Sequence, residues 1–404
     1  MDGSLSIHGA KNSALPILAA ALLCDECVIH NCPELSDVTA ARNILGYLGC
    51  TTNRQDDTII VKWQGGDYSI PDSLMREMRS SIVFLGAVVS RYGRAVLSMP
   101  GGCELGPRHI DMHLSSLRRL GVEINESHGL LDCRIKDKLH GADITLPFPS
   151  VGATENIMLA AVKAEGQTRI FNAAREPEII DLADFLRSCG AKIFIAPEGT
   201  IIIEGVKKLS SCTHSVIPDR IAAATYLCCA AITQGKLELQ NVRPDHMTAV
   251  LPVFEEAGCE LIVGDRTILL TAPKRLHRIK SVRTMPYPGF STDSQSPVMS
   301  MATVAEGSSM FIENIFESRY KQVDELYKMG ARIKVEGRVA VVEGVPKLHS
   351  APLRCTDLRG GASLVVAALA AEGVSEIDEI KHISRGYTHF AENLNKLGAN
   401  IKEE

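Results

Sequence analysis

Apolar residues in this chain fall into two helical patterns that alternate along its length. One is apolar on all sides: SALPILAAALL, ENIMLAAVKAEG, IAAATYLCCAAITQG and GASLVVAALAAEG. A helix without a polar face is buried on every side. Each of these runs leads into a short strand, read in CVIHN, TRIFN, KLELQN and SEIDEI. The other helix is amphipathic, as in IDMHLSSLRRLG and IIDLADFLRSCG, with one face toward water.

A glycine punctuates the end of each amphipathic helix. It recurs in LGYLGCTT (Gly49), LRRLGVEI (Gly121), LRSCGAKI (Gly190), FEEAGCEL (Gly258), LYKMGARI (Gly330) and LNKLGANI (Gly398). Successive glycines lie 72, 69, 68, 72 and 68 residues apart. Chance does not hold so steady a period, so the chain is an internal repeat. The position predicts a left-handed helix cap with a strand opening just after it.

Each unit then reads strand, buried helix, strand, amphipathic helix and two strands, with helices inside and sheets outside. The predicted fold class is α/β, with six such units dividing into two domains. Three units form a first domain over residues 11–217. Residues 1–10 plus 218–404 form the second, with the chain changing domain near Val216-Ile217-Pro218. The first strand, Ser4 to His8, is expected to pair in the second domain.

The chain has 404 residues and a formal net charge of -5, without a basic run. That excludes nucleic acid as the main partner and leaves room for a local basic pocket. The apolar run Ala14–Leu23 contains Pro16 and is too short to span a bilayer, and no secretion signal is read, so the chain is expected to be cytoplasmic without membrane insertion. Its 12 cysteines are too sparse for a disulfide scaffold. Cys24-x-x-Cys27 with Cys32 has a trace of metal spacing. The reading preferred for it is structural: Cys24 ends a buried helix and Cys27 opens a buried strand. No metal and no cofactor is expected.

The stretch Pro100–Arg108, PGGCELGPR, is loaded with chemistry. Its glycines and prolines make a loop, and Gly101, Gly102 and Gly106 supply hinges for a lid. Arg108 binds carboxylate or phosphate with its planar fork, and a nearby cation activates a thiol such as Cys103. The repeat places further polar residues at one end of each domain. Lys11-Asn12, Arg79, Ser150-Val151-Gly152, Asp219-Arg220, Asp293, and Asp357 with Arg359 start the buried helices. Cys103 and Arg108, Arg175-Glu176, Arg243 and Asp245, Glu317 and Arg319, and Arg385 follow the next strand. Helix N-termini and cations at such ends predict an anion-binding cleft between the domains. Simple capping accounts for Asp219, Asp293 and Asp357 taken singly. It accounts poorly for Lys11, Arg79, Arg108 and Arg385, because cations oppose the helix dipole there.

The motifs GAKNSALPILAAALL, PGGCELGPRHIDMHL, PFPSVGATENIMLAA, IPDRIAAATYL, YPGFSTDSQ, FESRYKQVDEL and CTDLRGGASLVVAAL, then HISRGY, run in order between Ile7 and Ile401. They resemble the UDP-N-acetylglucosamine 1-carboxyvinyltransferases of the EPSP synthase family, whose fold is the two-domain inside-out barrel. The resemblance implies addition of the 3′-hydroxyl of UDP-N-acetylglucosamine to phosphoenolpyruvate, followed by loss of phosphate. It implies Cys103 as the acid toward the phosphoenolpyruvate methylene and as the site of fosfomycin alkylation. It implies Asp293 as the base, with Lys11, Arg385 and Asp357 in the catalytic set. Lys11, Arg108 and Arg385 are implied as the clamp on phosphate and carboxylate, with Arg79 and Arg359 close by. Nucleotide-sugar contacts are implied for Asn12, Arg108, His109, Ile110, Asp111, Met112, Pro149, Ser150, Val151, Gly152 and Ile315.

The chain departs from the family pattern in places. Glu104 and His109 stand where a small residue and a proline are usual, and Phe148 where some members have lysine. One more strand usually precedes Leu5. Cys103 discriminates against the enzyme that acts on shikimate 3-phosphate, which lacks the Gly-Gly-Cys loop. A non-catalytic paralogue that binds the nucleotide sugar is the rival from another class. Retention of both Cys103 and Asp293 argues against it.

Overall fold

The computed structural model describes residues 1–78, 80–99 and 110–403. Helices and strands alternate throughout, a mixed α/β architecture. No helix is long and apolar enough to cross a membrane among the described residues. The chain divides into two compact units. One contains the described residues between Gly9 and Ile217, and the other contains Met1–His8 with the chain from Pro218 onward.

Each unit is built on nearly buried helices. In the Gly9–Ile217 unit these are α1 (Lys11–Ala21), α2 (Phe84–Tyr92) and α3 (Val151–Ala161). In the other they are α4 (Arg220–Ile232), α5 (Thr292–Ala302) and α6 (Leu358–Ala368). In α1 every residue but Asn12 is buried, and in α4 every residue but Arg220. Helices α4, α5 and α6 pack against one another, so the apolar runs bury one another's surfaces rather than a single stripe.

Five four-stranded sheets share one topology. In the sheet of Cys212–Ser215, Glu26–His30, Thr58–Trp63 and Cys50–Gln55, the first pair is parallel and the others antiparallel. The same order recurs in the sheets centred on Arg94–Ser98, Gln167–Phe171, Lys236–Gln240 and Ser308–Ile312. The first strand runs Asp2–Ser6, two residues earlier than the sequence suggests, and pairs with Lys236–Gln240. The sixth repeat differs. It holds two short parallel pairs, and no strand follows Gly398 among the described residues, in contrast to the expected two.

The six repeat glycines all have φ between 85° and 94°, a region where a side chain is strained. A second repeated device is an asparagine that ends the strand after a buried helix. Asn31, Asn172 and Asn241 all take φ 52°. Their side-chain amides donate to the carbonyls of Val216, Leu146 and Ile7 at 2.8, 2.8 and 2.7 Å. Asn314 repeats the bond to Thr284 at 3.1 Å. Each bond ties that strand's end to the end of its parallel neighbour.

Among the described residues the chain passes between the units at two places, near Gly9 and near Ile217. In the Gly9–Ile217 unit the Ala10 N–H donates to the Ile217 carbonyl at 2.7 Å. In the other unit the Asp219 N–H donates to His8 at 2.9 Å. Asp181, buried, accepts from Ser13 Oγ and from the Ile217 N–H at 3.2 Å and meets His214 Nε2 at 2.8 Å. Its carboxylate thus fixes the residue at which the chain leaves the unit. Gly9 has no room for a side chain, since a Cβ there would stand 1.7 Å from the Asn31 carbonyl oxygen.

Candidate active site

Lys11 opens α1 with its side chain almost fully buried, and its Nζ lies 2.6 Å from Asp37 Oδ2. A cation at a helix N-terminus opposes the dipole. Asp37, on the amphipathic helix Ser36–Tyr47, offsets that opposition and aims the ammonium. Nothing in the sequence pattern singles out Asp37, because it reads as an ordinary first-turn acid. Asn12 is the half-buried residue beside Lys11.

Elsewhere in the same unit, two helix starts are brought together. Ser150 caps α3, accepting from the Ala153 N–H at 3.4 Å. Asp111 and Met112 open the helix Asp111–Arg119, and the adjacent His113 lies against Gly152. A Cβ on Gly152 would stand 3.0 Å from His113 Cε1. Asn156 pins this corner: its amide nitrogen lies 2.9 Å from His113 Nδ1 and donates to the Ile82 carbonyl at 3.0 Å, while its oxygen accepts from the Gly86 N–H at 2.6 Å. Ile110, Asp111, Met112, Ser150, Val151 and Gly152 therefore share one neighbourhood, with Pro149 and exposed Phe148 leading into it. Asn156 and His113 are absent from the sequence reading, since each looks like a core residue of its helix.

The other unit gathers Asp293, Arg319, Arg359 and Asp357 around the starts of α4, α5 and α6. Capping does not explain Asp293, contrary to the reading of its type and position. Ser291 caps α5, accepting from the Asp293 N–H at 3.2 Å. The Asp293 carboxylate instead spans two guanidinium groups: Oδ1 accepts from Arg319 at 2.7 Å and Oδ2 from Arg359 at 3.3 Å. Arg319 also donates to the Thr292 carbonyl at 2.9 and 3.2 Å. Its side chain is 2% exposed, whereas that of Asp293 is 25% exposed, so the acid is the accessible member of the pair.

Asp219 and Asp357 do cap. Asp219 accepts from Ile221 and Ala222 at 2.8 and 2.9 Å, and Asp357 Oδ1 from Arg359 and Gly360 at 3.1 and 3.0 Å. Asp357 Oδ2 and the Nε and Nη1 of Arg359 are buried without a hydrogen-bond partner among the described residues. Orphaned buried polar atoms are uncommon in proteins, and a water, an ion or a ligand often completes them. Arg359 also lies 5.4 Å from the centroid of the Tyr387 ring, and the Tyr387 hydroxyl meets Thr225 Oγ1 at 2.9 Å. Burial pushes the Tyr387 hydroxyl above its usual pKa, with Arg359 pulling the other way. Half-buried Arg385 lies two residues before Tyr387.

Ile315 is held by a buried carboxylate. Glu313 Oε1 accepts from the N–H groups of Ile315 and Phe316 at 2.8 and 3.0 Å and from Thr284 Oγ1 at 2.9 Å. Its Oε2 accepts from Thr292 Oγ1 at 3.0 Å, next to Asp293. One side chain thus joins the Ile315 turn to the start of α5. Glu313 is absent from the sequence reading, since it looks like an ordinary residue at a strand end. Cys103, Arg79, Glu104, Arg108 and His109 lie outside the described residues. Among the described residues neither cluster contains a metal-capable group; the group of that kind, Cys24, Cys27 and Cys189, lies elsewhere.

The family profile of EPSP synthase (3-phosphoshikimate 1-carboxyvinyltransferase) matches residues 1–403. The chain belongs to the EPSP synthase family. Among its relatives, UDP-N-acetylglucosamine 1-carboxyvinyltransferase 2 of Caldanaerobacter subterraneus subsp. tengcongensis is 49% identical over 99% of this chain and 96% of the relative. UDP-N-acetylglucosamine 1-carboxyvinyltransferase of Granulibacter bethesdensis is 46% identical over 100% of this chain and 96% of the relative. The resemblance drawn from the motifs is borne out by these relatives. The crystal structure of the enolpyruvyl transferase NikO from Streptomyces tendae superposes with a TM-score of 0.90 at 26% identity, covering 99% of this chain and 95% of that one. EPSP synthase from Acinetobacter baumannii shares the fold, with a TM-score of 0.74 at 19% identity over 99% of this chain and 96% of that one.

Proposed function

We propose that this member of the EPSP synthase family transfers the enolpyruvyl group of phosphoenolpyruvate to the 3′-hydroxyl of UDP-N-acetylglucosamine, the committed step of peptidoglycan synthesis. The observation that carries this reading is the near-full-length identity to proteins named for that reaction. The likeness to the solved EPSP synthase of Acinetobacter baumannii is of fold alone. The six repeats, with buried helices inside each unit, support an inside-out barrel with domains 11–217 and 1–10 plus 218–404. The proposed substrates favour the cytoplasm.

In the proposed chemistry Cys103 delivers a proton to C3 of phosphoenolpyruvate. C2 becomes electrophilic, and the sugar hydroxyl attacks it as Asp293 accepts the hydroxyl proton. Loss of a C3 proton and of inorganic phosphate then leaves the enolpyruvyl ether. The accessible carboxylate of Asp293, held by two guanidinium groups, supports its role as base. The unpartnered nitrogens of Arg359 and the buried Lys11 support clamping of phosphate and carboxylate, with Arg79, Arg108 and Arg385. Asp357 is assigned to the catalytic set, its buried Oδ2 open to a donor. Asn12, the 109–112 and 149–152 segments and Ile315 are assigned to the nucleotide sugar. Fosfomycin is assigned to Cys103.

Purified protein should release phosphate only when phosphoenolpyruvate and UDP-N-acetylglucosamine are both present. Release with shikimate 3-phosphate in place of the nucleotide sugar would transfer the chain to the other branch. No release with either acceptor, despite binding of the nucleotide sugar, would make it a non-catalytic paralogue.

A further inference from the structure

Four cysteines from distant parts of the chain meet at the far end of α1 from Lys11. Cys24 lies in the turn after α1, and Cys27 in the strand Glu26–His30. Cys189 ends the helix Pro177–Ser188, and Cys212 opens the strand Cys212–Ser215. The Sγ atoms of Cys24, Cys27 and Cys189 all lie within 4.8 Å of one another. Cys212 Sγ is 3.0 Å from Cys189 Sγ and 3.9 Å from Cys27 Sγ. Three of the four residues are buried, and Cys212 is half-buried.

We propose that Cys24, Cys27, Cys189 and Cys212 form a structural tetrathiolate site for a soft divalent cation, with zinc as its occupant. A zinc–sulfur length of about 2.3 Å sets a sulfur–sulfur edge of about 3.8 Å in a tetrahedron. The observed separations bracket that edge, and rotation about the cysteine Cα–Cβ bonds completes it. Backbone pairing brings the ligands together without help from a metal. Cys212 and Cys27 are register partners in a parallel pair, and the Ser210 N–H donates to the Cys189 carbonyl at 2.7 Å. The short Cys-x-x-Cys spacing is that of one half of many zinc sites.

Charge favours the same occupant. Four thiolates around a divalent cation leave two negative charges. Arg91 supplies a cation next to the turn: it stacks 3.7 Å from the centroid of Trp63 and donates to the Leu23 carbonyl at 3.3 Å. With four protein ligands the site has no open position, so its role is structural. It joins the first repeat of its unit to the third. Binding releases the thiol protons to solvent, and no oxidant or reductant is needed.

A disulfide between Cys189 and Cys212 is the competing fate of these sulfurs, and the two are separable. The full chain, purified without metal-affinity steps and under mild reductant, should carry about one zinc per chain by elemental mass spectrometry. Exchange into cobalt should give the thiolate-to-cobalt charge-transfer band and the intense visible bands of a tetrahedral sulfur site. Cys27→Ser with Cys189→Ser should reduce bound metal at least tenfold, whereas Cys32→Ser should retain it. If the double variant fails to fold, the zinc content and cobalt spectrum of the unaltered chain decide. Fewer than about one zinc per ten chains, with no cobalt band after incubation of the reduced protein, overturns the proposal. So does a Cys189–Cys212 disulfide found by peptide mass mapping of protein isolated without reductant.

Discussion

The buried guanidinium of Arg319 reaches the Asp293 carboxylate at 2.7 Å while also donating to the carbonyl of Thr292, the residue before it. A planar fork holds a side-chain and a backbone oxygen in one fixed geometry, whereas the donors of an ammonium rotate freely. Asp293 is therefore oriented from two sides, by Arg319 and by Arg359.

That arrangement makes Arg319 a positioning residue. Arg319→Lys should lower kcat by roughly 100-fold, the scale of a misplaced reactive group. KM for the nucleotide sugar should change far less. Arg319→Ala should in addition destabilise the chain by about 3 kcal/mol, since it leaves a cavity and an unpaired carbonyl. Steady-state phosphate release and urea unfolding separate the two effects. A Lys variant with full kcat would show that Asp293 does not depend on this contact.

Lys11 and Asp37 give a second test, in the other unit. Asp37→Ala removes the carboxylate 2.6 Å from the Lys11 ammonium while leaving that cation at a helix start. Breaking a buried ion pair typically costs about 3 kcal/mol or more. The same change frees Lys11 from its aim. KM for phosphoenolpyruvate should rise by about tenfold, the effect of losing about 1.4 kcal/mol of binding. Asp37→Asn should keep most of the stability and still raise that KM. An unchanged KM in both variants would remove Lys11 from the phosphate and carboxylate clamp.

The crossing at Gly9 tests the fold rather than the chemistry. A methyl at this position meets the backbone carbonyl of Asn31, which also ends a repeat strand. Backbone cannot rotate away as a flexible side chain can. Gly9→Ala should destabilise the chain by about 3 kcal/mol or more. Gly46→Ala, where nothing lies within 4 Å of the added carbon, should be neutral or stabilising. Equal midpoints for the two variants in urea unfolding would contradict the packing described for Gly9.

Much of the repeat was legible because it rests on local chemistry. A left-handed cap wants glycine, and all six repeat glycines are left-handed. The strand-ending asparagines recur in four of the six repeats, and their residue type explains the φ of 52° at Asn31, Asn172 and Asn241. What was not legible depends on tertiary proximity. Asp37 becomes part of a site only because its helix packs against α1. Asp293 reads as a cap until Ser291 is seen to take that role and Arg319 to claim the carboxylate. Cys24 and Cys27 carry a local spacing, but Cys189 and Cys212 complete their cluster from more than 160 residues away, where no spacing rule reaches.

Glu313 supplies the last prediction, because its two oxygens serve different ends. Oε1 collects the Ile315 and Phe316 N–H groups with the Thr284 hydroxyl, and Oε2 takes the Thr292 hydroxyl. In Glu313→Gln the carbonyl can keep the Oε1 partners. The amide nitrogen then faces a hydroxyl able to turn and accept. Its cost should be about 1 kcal/mol, with KM for UDP-N-acetylglucosamine within a few-fold of the parent. Glu313→Ala strands two buried or half-buried N–H groups and should cost about 3 kcal/mol. It should also raise the nucleotide-sugar KM by about tenfold, because the Ile315 turn is released. The effect on kcat at saturation should be smaller than that of Arg319→Lys, since the arginine contacts to Asp293 remain. If Glu313→Ala instead lowers kcat with KM unchanged, Glu313 acts through Thr292 on Asp293, and Ile315 has no part in binding the nucleotide sugar.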